Sequence, residues 1–161
     1  MKTAEEWIEE YGVSHQNPTN KLIHWICVPL IMLSLLSLIS IIPFPFKNYE
    51  LLTVGDLVVK INWMTLFLAY SILFYLRLSF SIAIGMLLIA ILMIASISWI
   101  EFFDQTIWRL SLFIFIVSWI GQFVGHKIEG QKPSFFEDIQ FLLIGPAWLL
   151  SFIYKKLGIK L

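Results

Sequence analysis

"LIHWICVPLIMLSLLSLISII", residues 22–42, decides the fold class: twenty-one consecutive residues without one Asp, Glu, Lys or Arg. A helix of about 20 mostly apolar residues is what crosses the hydrocarbon core of a bilayer. The run stops at Pro43-Phe44-Pro45, where proline disfavours further helix. Similar runs follow at about Trp63–Leu78, Ile82–Ile100 and Ile107–Gly125. A shorter run, Ile139–Tyr154, is interrupted by Gly145-Pro146 and reads as a fifth span or a kinked, re-entrant segment. Over all 161 residues, 59% are hydrophobic and only 14% charged, against about a quarter charged in soluble domains. Trp25, Trp63, Trp99 and Trp108 fall near the ends of the runs, as an interfacial aromatic belt requires. The expected architecture is an all-α polytopic membrane bundle, a single domain over 1–161, with four sure spans and the fifth segment.

Ahead of this bundle, residues 1–20 read as an interfacial helix and turn. Thr3 and Glu6 fit a capping box, Gly12 is placed to end the helix, and Ala4, Trp7, Ile8 and Tyr11 share one face. Such a helix lies on the membrane surface or against the bundle. The acidic start is unlike a cleavable signal peptide. Net charge is zero, so no basic field argues for nucleic acid, and the single cysteine, Cys27, has no internal partner. The loop "FKNYELLTVGDLVVKIN", residues 46–62, separates the first two runs and is expected to pack at the interface.

Counting crossings places His15, His24 and His126 at one membrane face, with Arg77, Lys127, Glu129 and Lys132. If the last run re-enters, Lys155, Lys156 and Lys160 join them, and the positive-inside rule makes that face cytoplasmic. His15 and His24 are about two and a half helical turns apart, so the Asn17-Pro18 turn must let His15 fold back. Imidazole is the commonest metal ligand, and ionisable groups at membrane depth are functional candidates. The alternative is that all three are interfacial side chains bonded to headgroups or carbonyls in a non-catalytic lipid-binding or scaffold protein. A small transporter is a third reading, disfavoured because mid-span charge is nearly absent. Glu129, three residues past His126, is a candidate ligand, histidine-orienting carboxylate or acid/base, or an exposed loop group if Gly130 ends the helix early. Asn20, Gln122 and Tyr11 are candidate hydrogen-bonding groups, and Arg77 a candidate partner for an anionic substrate or a phosphate headgroup. Gly121 and Gly125 permit close helix contact.

Two stretches carry a resemblance. Tyr11-x3-His15-x4-Asn20-x3-His24-x3-Val28-Pro29-Leu30 and "GQFVGHKIEGQKPSFFEDIQFLLIGP", residues 121–146 with Gln122, Gly125-His126, Glu129 and Pro133, resemble the two signatures of the family called metabolism of phytosphingosine to odd-numbered fatty acids, the 2-hydroxy fatty acid dioxygenases. Departures are Cys27 in place of glycine, Lys21 in place of arginine and Ile128 in place of an aromatic. The resemblance implies an Fe(II)- and O2-dependent α-oxidation that shortens a long-chain 2-hydroxy fatty acid by one carbon. His15, His24 and His126 would hold the metal, with zinc also acceptable to three imidazoles. Tyr11 and Glu129 would serve the reaction, and Asn20, Gln122 and Arg77 the substrate. No phosphate-cradling motif appears, so no nucleotide cofactor is expected. The location implied is the inner or plasma membrane of a bacterium, or the endoplasmic reticulum of a eukaryote.

Overall fold

Local sequence sets the helix boundaries in the computed structural model, which describes residues 2–45, 50–54, 57–103, 106–132 and 140–161. Helix α1 (Ala4–Val13) opens with reciprocal caps: Glu6 N–H donates to Thr3 Oγ1, and Thr3 N–H to the Glu6 carboxylate. It does not end at Gly12, which lies within the helix; Ser14 is the cap. Helix α2 (Pro18–Ser40) starts at the Asn17-Pro18 step, with Asn17 Oδ1 accepting from Thr19 N–H and Pro18 in the first turn, where a missing N–H costs nothing. Two antiparallel strands follow, β1 (Glu50–Val54) and β2 (Leu57–Lys60), pairing Val54 with Leu57. The expected loop therefore carries a β-hairpin. Its β-branched Thr53, Val54, Val58 and Val59 favour strand.

Helices α3 (Trp63–Leu78), α4 (Phe80–Phe103), α5 (Ile107–Glu129) and α6 (Phe141–Leu157) complete the chain. Among the described residues, three helices are long and apolar enough to cross a membrane: α2, α4 over Phe80–Ile100, and α5. The expectation of four is not met on length. Helix α3 has 16 residues, about 24 Å at the helical rise, short of a hydrocarbon core of about 30 Å. Helix α5 runs to Glu129 and closes on Gly130 in the left-handed region, whose N–H bonds the His126 and Lys127 carbonyls. His126 and Glu129 are thus one helical turn apart. Pro133 and Ile139 lie outside the described residues.

Two packing arrangements position the site. Helices α2 and α5 lie close because small residues face each other. An added β-carbon at Gly121 would sit 2.7 Å from Cys27 Sγ, and Ser111 Oγ donates to Ser37 Oγ at 2.9 Å. Helix α6, the other arrangement, buries Ile144 through Leu150. The α1 rings cover one side of it, Trp7 edge-on to Phe141 and Tyr11 tilted against Trp148. Its other side docks on the α3–α4 turn: Tyr75 Oη donates to the Leu143 carbonyl at 2.7 Å and Tyr154 Oη to that of Ser81 at 2.6 Å. The outer faces of the long helices remain apolar and exposed, at Leu88, Leu92, Phe113 and Ile120 for example.

Candidate metal centre

The turn between α1 and α2 folds His15 back over α2, and α5 supplies the third ring. His15 and His24 are fully buried and His126 nearly so. Ring centroids lie 4.3 Å apart for His15–His24, 4.9 Å for His15–His126 and 5.1 Å for His24–His126. Each ring offers one nitrogen, and these three atoms lie within 4.8 Å of one another. All three histidines placed together by the sequence are together in space.

Two backbone carbonyls fix the chemistry of the cluster. His15 Nδ1 lies 2.6 Å from the Tyr11 carbonyl and His24 Nδ1 lies 2.9 Å from that of Asn20, each four residues earlier. A carbonyl only accepts, so both Nδ1 atoms carry the proton and both Nε2 atoms present lone pairs. Those Nε2 atoms face each other at 2.9 Å. Two lone pairs repel at that distance unless a cation lies between them. Imidazoles that bind metals commonly give their other N–H to such an acceptor. Two ligand nitrogens about 2.1 Å from one ion and at right angles would be about 3.0 Å apart, so the observed pair fits a shared metal. Nδ1 of His126 is buried with no hydrogen-bond partner among the described residues. Burial pushes His15 down to about 3, with the neighbouring His24 adding to the effect, so its ring stays neutral, the form that ligates. Burial also raises the Tyr11 hydroxyl.

Glu129 is a clamp on this turn. Its carboxylate accepts from Gln16 N–H at 2.7 Å, Asn17 N–H at 2.9 Å and Asn20 Nδ2 at 2.9 Å. It thereby ties the end of α5 to the turn between His15 and His24, and it lies outside the three-nitrogen cluster. Fully buried Asn20 joins the clamp through its amide and orients His24 through its backbone carbonyl, while its Oδ1 has no partner among the described residues. Gly125 leaves room for that Oδ1, which an added β-carbon would strike. Gln122, one turn before His126, is buried; its side chain hydrogen-bonds that of His24, and its Nε2 is unpartnered among the described residues. Tyr11 stacks on His15, ring centroids 4.1 Å apart and planes at 14°. Arg77 is exposed in the last turn of α3 and contributes none of these contacts. Trp148, which the sequence reading missed, packs against His15 at 5.1 Å between ring centroids. Nothing local to "PAWLL" announces it, because α6 must first fold over the cluster.

A family model described as 2-hydroxy-palmitic acid dioxygenase Mpo1-like matches residues 1–157. The chain belongs to the Mpo1-like family. This Mpo1-like chain is also similar to the protein named 2-hydroxy-palmitic acid dioxygenase MPO1 of Saccharomyces cerevisiae, at 27% identity over 150 residues, covering 92% of this chain and 78% of the relative. No solved structure matches it.

Proposed function

We propose that this Mpo1-like protein is an integral membrane dioxygenase that uses iron(II) and O2 to convert long-chain 2-hydroxy fatty acids into fatty acids one carbon shorter. The carrying observation is the pair of proton-free Nε2 atoms of His15 and His24, 2.9 Å apart with His126 beside them. The printed descriptions of the family and of the yeast relative support the substrate class. The overall change balances with O2 alone: the C1–C2 bond breaks, C2 rises from alcohol to carboxylic acid, and C1 leaves as carbon dioxide. O2 accepts four electrons, its two oxygen atoms entering the carbon products, and the hydrogens released leave as water. No outside reductant enters.

Iron(II) on His15, His24 and His126 would supply a redox centre with open positions for O2 and for the substrate's hydroxyl and carboxylate oxygens. The chain's own groups do the rest. Gln122 Nε2, buried and unpartnered among the described residues, donates to the substrate head, while Asn20, wedged against Gly125, keeps the turn and His24 in place. Tyr11 holds the His15 ring flat and, with Trp148, keeps water off it. Glu129 positions the two histidines of the turn. Arg77 faces lipid headgroups.

In this reading α3 is the fourth, short crossing. Helix α6 stays within the histidine-side leaflet, because both of its ends dock on the α3–α4 turn. Lys155, Lys156 and Lys160 then lie on the histidine side, which the positive-inside rule assigns to the cytoplasm. The test is metal analysis and O2 uptake on freshly purified protein with 2-hydroxypalmitic acid. We expect about one iron per chain, although zinc acquired in isolation also fits the ligands, and oxidation on iron loading. Wild-type protein that neither binds a divalent metal nor consumes O2 would leave a lipid-binding or scaffold protein instead.

A further inference from the structure

A cleft of about 60 Å³ runs from the metal centre toward the bilayer interior. Its polar end is His126 and Gln122; its inner end is Ile31 on α2 and Trp119 on α5, with Leu142 of α6 on a third side. On α5, Trp119 precedes His126 by seven residues; on α2, Ile31 follows His24 by seven. Each step is about 10 Å along the helix, so the two walls descend together. At roughly 10–15 Å³ per water-sized group, the cleft holds about four to six non-hydrogen groups. A 2-hydroxy carboxylate head, two carbons and three oxygens, fills it. A long acyl tail does not fit, and 44%-exposed Leu142 marks where it leaves. Beyond that point a methylene gains nothing by exchanging lipid for protein, since lipid tails are as apolar as leucine.

Taking the proposed reaction as given, we propose that the protein encloses only the head and first carbons of its substrate, the remaining chain passing between α5 and α6 into the bilayer. Ile31 and Trp119 then set tolerance to substituents near the head, and nothing in the protein measures chain length.

The test uses iron-loaded protein in phosphatidylcholine nanodiscs, with acid concentrations expressed as mole fraction of the bilayer. Straight-chain 2-hydroxy acids of about 12, 16 and 20 carbons should share kcat/KM within about threefold, whereas a methyl branch at C3, the first carbon past the head, should lower it about tenfold or more, the scale at which an apolar pocket rejects one misplaced carbon. Trp119→Ala should raise the branched-to-straight ratio at least fivefold; Ile31→Ala gives the same readout if the tryptophan variant does not fold. A tenfold fall between two straight-chain lengths would overturn the proposal, as would indifference to the branch. If no acid is oxidised, the failure belongs to the dioxygenase reading. The cleft is then judged by thermal shift: equal shifts from all straight chains and a lost shift with the branch support it, and the reverse overturns it.

Discussion

His15 Nε2 and His24 Nε2 point at each other across 2.9 Å, while the opposite nitrogen of each ring is held by the carbonyl four residues before it. Both rings are buried, so water does not separate the lone pairs. The relationship makes sense with a cation present, and the consequences below follow from it.

Metal should stabilise the fold. A ligand that binds only the folded state adds about 2.7 kcal/mol at a hundredfold excess over its Kd. Chelation should lower the Tm of the wild type, and His24→Ala should both lose the metal and abolish the chelator effect. A wild-type Tm indifferent to chelator and to added iron or zinc would count against the site.

Glu129→Ala should act through the turn. Removing the carboxylate hands Gln16 N–H and Asn17 N–H to water and leaves Asn20 Nδ2 only its 3.4 Å bond to the Ser14 carbonyl, so stability should fall by about 1 kcal/mol. Loss of such an orienting group typically weakens metal binding 10–100-fold. Glu129→Gln, which keeps acceptor capacity, should recover part of both losses. Equal effects of the two variants would point instead to a charge requirement.

Gly125→Ala should behave as an overpacking change. The new methyl meets Asn20 Oδ1 and Ile23, and moving Asn20 breaks its bond to Glu129, at a total of about 1–3 kcal/mol. Metal titration and thermal denaturation read the two consequences. A neutral effect on both would show that α2 and α5 separate more easily than their contacts suggest.

Gln122→Leu separates substrate from metal. The variant keeps the apolar stem and removes the unpartnered Nε2. Metal content should fall modestly, because the variant also loses the hydrogen bond to His24, while KM for the 2-hydroxy acid rises about tenfold, the worth of one hydrogen bond to a charged head. Complete loss of metal would instead show that Gln122 acts chiefly by holding His24 in place.

Metal-free protein should lose stability in acid. Unfolded His15 takes a proton near the ordinary value of 6.5, whereas the folded ring waits until about 3. Between those values the unfolded state binds more protons, so stability falls as pH drops through that window. His15→Asn should flatten part of the slope; denaturation midpoints at several pH values measure it.

Much of the fold was written along the chain. Runs of apolar residues declare their helices wherever they lie, because a bilayer demands length and hydrophobicity of each segment separately. The Thr3 and Asn17 caps, the break at Pro43 and the stop at Gly130 are likewise local. Helix α3 keeps the bounds its apolar run gave, Trp63–Leu78, and falls short only as a full-length span; the β-hairpin departed from expectation because short alternating stretches do not identify their own partners.

Counting four crossings along the sequence led to the expectation that the three histidines share one membrane face. Only tertiary structure decided that their nitrogens meet. That required the α1–α2 turn to fold His15 back, Gly121 and Gly125 to bring α5 against α2, and α6 with Trp148 to close over the rings. It also left Arg77 outside and turned Glu129 into a clamp. These are contacts between residues far apart in the chain, 113 positions for Gln16 and Glu129 and more for His15 and Trp148. Their geometry arises when helices that the bilayer makes individually are packed against one another.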